Sequence, residues 1–172
     1  MRKYQIFIIL SLLLLLVGCA RNEVFTRNYY ILEYYGHSEK EELFQDEPLD
    51  NSVLVMDSRV SRTYDRRQIV RRQYGPKIQY AEYDLWGVKL SDIIPDLIAK
   101  RLKNYNSFKQ VQREYFKEIP DYQIMTMINN IEILESENLM QARLNIEFVL
   151  RRGDGEGVLL RHYVNREENI AD

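Results

Sequence analysis

A regular alternation of apolar and polar residues over Leu139–Arg152 is the feature that most constrains the fold. The apolar positions are Met140, Ala142, Leu144, Ile146, Phe148 and Leu150, and the polar ones between them include Arg143 and Glu147. A period of two predicts a strand with one buried face and one solvated face, as found in antiparallel sheets. The glycine-rich stretch 153–157 that follows predicts a hairpin connection to a partner strand over 158–164.

The clearest helix is predicted over 88–106, where leucines and isoleucines recur at helical spacing and basic residues gather near the C-terminal end. We expect Ser91 or Asp92 to cap its start. Pro95 lacks a backbone N–H, so we expect it to lie within the first turn.

Other segments rich in β-branched and aromatic residues predict further strands. These segments are 28–35, 52–60, 68–73, 77–83, 108–111 and 121–135, with a turn at Gly75-Pro76. The chain is therefore expected to form a single α+β domain. Its sheet is mostly antiparallel or mixed, and one amphipathic helix packs on it as an α/β sandwich.

The N-terminus predicts a processed and lipidated protein. Arg2 and Lys3 precede an apolar segment of about twelve residues, which is typical of a signal peptide and short for a membrane span. The segment ends in Leu16-Val17-Gly18-Cys19, which resembles the bacterial lipobox. We therefore predict a signal peptide over 1–18, a lipidated tether over 19–27 and a folded domain over 28–172.

Cys19 is the predicted lipid attachment site and the only cysteine of the chain. In signals of this type the cysteine receives diacylglyceryl and N-acyl groups, and several acyl chains make a stable anchor. Beyond these covalent groups the sequence predicts no cofactor. Ala20 follows the cysteine, where retention at the inner membrane is usually marked by Asp, so we expect the outer membrane.

Charge and motifs disfavour nucleic-acid binding, metal binding and catalysis. Removal of residues 1–18 takes away two basic residues and no acidic one, so the net charge changes from −2 to −4. Neither His37 nor His162 has a second ligand at metal-binding spacing. The sequence contains no nucleophile elbow, P-loop or dinucleotide fingerprint. We therefore predict that the protein is not an enzyme.

An arginine cluster and a tryptophan are the candidate partner interface. Six arginines lie within fourteen residues, namely Arg59, Arg62, Arg66, Arg67, Arg71 and Arg72. They form either a solvated strand face or a docking surface for an acidic partner or a lipid phosphate. The acidic stretch 39–50 is an alternative internal partner. Trp86 either packs the helix start against the sheet or anchors an interface. The residues selected as candidate interface are Trp86, Arg66, Arg67, Arg71 and Arg72.

Four stretches in a fixed order resemble the ABC-type transport auxiliary lipoprotein family, the PqiC-like lipoproteins. They are YYIL after the lipidated cysteine, VLVMDSRV, YDRRQIVRR and IQYAEYDLWGVKLSDIIPDLIAKRL. Within them, the positions that match the family pattern are Tyr64, Arg67, Gln68 to Val70, Tyr80-Ala81-Glu82, Trp86 and the helix from Leu90 to Leu102. The resemblance covers residues 19–112 well and residues 121–164 by strand pattern alone.

The resemblance implies a lipoprotein on the periplasmic face of the outer membrane. Its implied role is that of a docking or stabilising subunit beside an MCE-domain protein, an ABC permease and its ATPase, which together move lipid between two membranes. The implied partners are these proteins and the membrane through the lipid anchor. A homo-oligomer is kept as an open alternative. The resemblance also implies a C-terminal helix on the sheet, beginning where this sequence reads NREENIAD. Without that helix an apolar sheet face invites association.

Two other functions are compatible with a lipoprotein of this size. One is assistance in the assembly of an outer-membrane β-barrel for lipopolysaccharide export, which predicts a stable complex with that barrel. The other is an envelope hydrolase, which the missing nucleophile and metal patterns disfavour.

Overall fold

The computed structural model of the chain describes residues 25–33, 44–73, 75–115, 118–136 and 139–170. The signal peptide and Cys19 lie outside the described residues, so the lipidation of Cys19 stays a prediction.

The described residues form nine strands and one helix, α1, which spans Leu90–Asn104. The strands are β1 Asn28–Tyr30, β2 Leu49–Val55, β3 Arg59–Val60, β4 Gln68–Gln73, β5 Ile78–Trp86, β6 Phe108–Gln112, β7 Tyr122–Ser136, β8 Leu139–Arg152 and β9 Val158–Asn169. All nine strands belong to one mixed sheet. The single domain is therefore mainly sheet, and the predicted α/β sandwich is only loosely realised because α1 is small.

β7 is the strand on which the sheet is organised. One edge of β7 pairs antiparallel with β8, and its other edge pairs in parallel with β2, β3 and β4 in turn. Beyond these strands, β6 pairs with β2, β5 with β4, and β1 with β5. On the opposite side β9 pairs with β8 alone. The outermost strands are therefore β1, β6 and β9, and the two-residue β3 also pairs with one strand alone.

The helix prediction is confirmed in type and place, but the prediction for its cap is wrong. Lys89 is the N-cap, with no side-chain hydrogen bond to the helix, and the Ser91 hydroxyl instead donates to the Asp92 carboxylate at 2.8 Å. Pro95 is the sixth helical residue rather than a member of the first turn. It cannot donate to the carbonyl of Ser91, and that carbonyl accepts the backbone N–H of Ser58 at 3.0 Å instead. The proline thus frees an acceptor that ties α1 to the loop after β2.

The hydrophobic core lies between α1 and one face of the sheet, which we call the helix-side face. Leu90 and Ile94 from the helix meet Ile128 of β7 and Ile146 of β8 there. The alternation of β8 is confirmed, because its even-numbered residues point towards this core. The pairing of β7 with β8 shifts in register between Ile128 and Asn130. Because of this shift, the apolar residues of β7 on either side of the Asn129-Asn130 pair lie on the same face of the sheet.

The glycine-rich segment between β8 and β9 forms the predicted hairpin connection. Gly155 and Gly157 have φ values of +84° and +73°, which side chains rarely adopt. Gly153 lies so close to the chain that an added Cβ would stand 1.3 Å from the carbonyl oxygen of Pro120. These glycines are therefore explained by turn geometry and close approach.

Two strand predictions needed correction. The stretch 52–60 is not continuous: it breaks after Val55 and resumes as the two-residue β3. The last strand is longer than predicted, because β9 continues to Asn169 through residues expected to begin a helix. The reason is that β8 is long enough to pair with β9 as far as Gln141, which lies opposite Asn169.

Candidate partner-binding surface

An open apolar groove covers the part of the helix-side face that α1 leaves free. The helix lies against β6, β2 and β3, so the remaining sheet beyond it is uncovered. The groove has a volume of about 930 Å³, near the upper end of the range for ligand sites. Its floor consists mainly of alkyl and aromatic side chains; they include Ile69, Ile131, Ile133, Leu144, Ile146, Phe148 and Val164. A surface of this kind is suited to binding apolar groups.

Trp86 lies at the junction of the core and this groove. It is half-buried, it packs against the cluster that includes Leu90 and Ile94, and it also lines the groove. The packing role considered for Trp86 is therefore present in the structure. Its role as an interface anchor stays a prediction.

Arg71 is engaged inside the domain, at the rim of the groove. Its guanidinium donates to Asp84 of β5 and to Glu135 of β7, both at 2.9 Å. Asp84 also accepts a hydrogen bond from the Asn28 amide at 2.9 Å. This bond and the nearby Arg71 lower the pKa of Asp84, although partial burial acts in the opposite direction. Side chains therefore link β1, β5, β4 and β7 across the sheet.

Arg72 takes part in a second network, centred on the buried carboxylate of Glu132. The Glu132 side chain is 0% exposed, and it accepts hydrogen bonds from Arg72 Nε at 2.9 Å and from the Tyr64 hydroxyl at 2.7 Å. Arg143 Nη1 lies 3.6 Å from the same carboxylate. Asn130 donates its amide to the Tyr64 hydroxyl at 2.9 Å.

The protonation of this network follows from its contacts. Burial alone would raise the pKa of Glu132, but the hydrogen bonds from Arg72 and Tyr64 outweigh it, so the pKa of Glu132 is lowered. Burial, reinforced by the bond to Glu132, raises the pKa of Tyr64. Glu132 is therefore an anion at neutral pH, and Tyr64 keeps its proton.

Arg66 and Arg67 lie in the connection before β4, outside these two networks. Arg66 is half-buried, and its Nε donates to the backbone carbonyl of Thr63 at 2.9 Å. Arg67 is exposed, and its carbonyl accepts the backbone N–H of Trp86 at 2.7 Å. The Arg66 guanidinium stands 3.7 Å above the centre of the exposed Tyr80 ring. We call Arg66, Arg67 and Tyr80 the Arg66–Arg67 patch. The structure thus divides the predicted interface into two arginines that hold the sheet, one that packs on a tyrosine of β5, and one that is exposed.

The internal partners of the arginines differ from the acidic stretch considered at first. Within the described part of 39–50, Asp50 pairs with Lys109 of β6 at 2.7 Å. The carboxylates that meet Arg71 and Arg72 come from β5 and β7 instead. Glu132 is not among the residues predicted from the sequence, although a carboxylate inside the apolar stretch of β7 is a usable signal for a buried ion pair.

Comparison with known families identifies the chain. Residues 41–172 match the model of the ABC-type transport auxiliary lipoprotein component. The chain belongs to this family. The family comprises auxiliary lipoprotein components of ABC-type transport systems.

Solved structures support the same fold. A Xanthomonas campestris protein described as a DUF330 member is similar with a TM-score of 0.67 and 14% identity, over 84% of this chain and 80% of that one. A second solved protein, described as uncharacterized, has a TM-score of 0.61 at 14% identity, with the same coverage. A comparison with curated proteins found no match.

Two further observations concern the described residues alone. The single helix in the described ranges is neither long nor apolar enough to cross a bilayer. In the same ranges, no group of three or more His, Cys, Asp or Glu side chains is placed to hold a metal ion.

Proposed function

We propose that this chain is a periplasmic accessory lipoprotein, anchored to the outer membrane through Cys19, of an MCE/ABC-type lipid transport system. It acts there as a docking or stabilising subunit. The family match over residues 41–172 is the observation that carries the proposal. The lipobox at Leu16-Val17-Gly18-Cys19 supports the anchor, and Ala20 supports the outer membrane.

The docking surface that we assign to the transport proteins is the Arg66–Arg67 patch, together with the adjacent Trp86. Arginine, tyrosine and tryptophan are the residue types that contribute most to binding at protein interfaces. The exposed Arg67, with Arg66 stacked on Tyr80 beside it, suits a partner with exposed carboxylates. The patch therefore fits an acidic surface of the MCE-domain protein or of its transport complex.

Affinity purification from native membranes tests this function. The full-length lipoprotein is expected to recover an MCE-domain protein with its permease and ATPase. The Cys19→Ala variant is expected to leave the membrane fraction and to lose these partners. Recovery of a large β-barrel alone would favour the assembly role in lipopolysaccharide export, and recovery of no transport protein would overturn the proposal.

A charge reversal tests the assigned surface. The double variant Arg66→Glu/Arg67→Glu is expected to reduce partner recovery at least tenfold, because it places carboxylates opposite an acidic surface. Arg152→Glu is the matched control, since it reverses an exposed arginine at the far end of β8. Equal losses in both variants would show that general charge, and not this patch, determines binding.

A further inference from the structure

The outer edge of β9 is the longest unpaired strand edge among the described residues. The other two outermost strands are short: β1 has three residues and β6 has five, and β6 carries Lys109 in an ion pair. β9 has twelve residues, of which eleven are exposed and four are charged, two of each sign. A bulge at Leu159 interrupts its pairing near the N-terminal end, and the strand is regular from Leu160 onwards. Among the exposed residues are Leu159 at 49%, Leu160 at 59% and Tyr163 at 60% exposure. Strands of this type pair readily with another chain.

We propose that β9 pairs antiparallel with β9 of a second copy, so that two sheets join into one across a two-fold axis. Antiparallel pairing by such an axis places residues of the same face opposite each other, and the contact is self-complementary. The axis passes beside Val164, which faces Val164 of the second copy. In this register the regular part of the strand takes part, because Leu160 lies opposite Glu168 of the second copy.

The charges on the face opposite the helix select this register. Within one chain, Arg143 Nε pairs with Glu167 at 2.8 Å, and Arg161 pairs with Glu147. With the axis at Val164, Arg161 lies opposite Glu167 of the second copy. A row of four side chains with alternating charge then runs from β8 of one copy to β8 of the other. It consists of Glu147 and Arg161 of one copy, followed by Glu167 and Arg143 of the second copy. Cross-strand pairs of opposite charge stabilise a sheet.

Neighbouring registers lack this match. With the axis at Tyr163, Glu167 would face the apolar Leu159 and Arg161 would face Asn165. With the axis at Asn165, Arg161 would face Asn169 and Glu167 would face Tyr163. The Val164 register is the one of these three in which both charged residues meet an opposite charge.

The proposed pairing of β9 brings the apolar grooves of the two copies together. β9 forms one wall of the groove through Val164, Arg166 and Ile170. A two-fold axis perpendicular to the sheet keeps the helix-side faces of both copies on the same side. The two grooves are therefore adjacent, and they form one apolar trough across the dimer.

Complementary charge variants provide the test. Full-length lipoprotein is produced in one cell with two different affinity tags, and capture of one tag is scored by recovery of the other. Arg161→Glu alone places Glu opposite Glu167 twice, and Glu167→Arg alone places Arg opposite Arg161 twice. Each variant is expected to lose self-capture at least tenfold, whereas the mixture of the two is expected to regain it.

The mixed pair controls for effects on folding, because each chain carries the same internal change alone and in the mixture. A disulfide at the axis provides a second readout. Val164→Cys is expected to cross-link two copies, since directly opposite residues in antiparallel pairs have Cα separations within the disulfide range. Glu114→Cys, at another exposed position, is the matched control. The proposal would be overturned if the wild-type chain captured no second copy. It would also be overturned if each single variant and the mixture of the two variants gave equal capture.

Discussion

β7 and β9 lie on opposite sides of β8, and both are long strands with apolar and charged residues, yet they differ in almost every physical respect. β7 pairs on both edges and holds Ile128 at 0% exposure. β9 pairs on one edge, and Val164 is its single residue outside the exposed class. Position in the sheet, rather than residue type, therefore decides what a side chain contributes to the stability of the domain.

The largest expected effect concerns the buried carboxylate of β7. Glu132→Ala leaves Arg72 and Arg143 without their shared anion in a buried site, so we expect a loss of about 3–5 kcal/mol in the free energy of unfolding. Urea denaturation measures it. Glu168→Ala, at an exposed carboxylate of β9, is the control and is expected to leave the urea midpoint unchanged. Similar losses in both variants would contradict the contrast between the strands.

A second comparison uses apolar residues of the same two strands. Ile128→Ala creates a cavity in the core and is expected to cost about 2–5 kcal/mol. Leu159→Ala removes a half-exposed side chain and is expected to change the monomer's stability by less than about 0.5 kcal/mol. Thermal and urea unfolding of both variants at low protein concentration give these values. A large loss for Leu159→Ala in the monomer would show that β9 is packed within its own chain.

The pH dependence of stability is expected to come from the β7 side of the sheet. The folded-state pKa of Glu132 is lowered, so its contribution is complete above the unfolded value of about 4.3. It is lost as the pH falls through the folded value. The urea midpoint of the wild type should therefore decrease as the pH falls below about 4.3. Glu132→Gln should show a smaller decrease, and an identical pH profile in both proteins would rule out this assignment.

The smallest effect is expected for the ion pair on β9. Arg161 is about half exposed where it pairs with Glu147, and exposed pairs are screened by solvent. Arg161→Ala is therefore expected to leave the urea midpoint of the monomer unchanged, although it weakens capture of a second copy. A clear loss of monomer stability would mean that this pair acts like the buried Arg72–Glu132 pair.

The limits of sequence-based prediction are visible in the arginine cluster. Six arginines close together in sequence suggested one surface, but β4 places the neighbours Arg71 and Arg72 in separate networks. Alternate residues of a strand point to opposite faces, so adjacent arginines in β4 could not share one docking surface. Arg66 and Arg67 precede the strand, and only these two of the four selected arginines remain outside those networks.

Local features were determined by the sequence itself. The period of β8, the helix around Leu90–Asn104 and the glycine-rich hairpin depend on residues a few positions apart, so their patterns can be read without the fold. The order of motifs likewise identified the family. Tertiary structure alone decided which side chains meet, because Arg72 and Glu132 are 60 residues apart and come together only when β4 pairs with β7. It also decided that β9 is an edge, since exposure of a strand depends on how many neighbours the sheet provides.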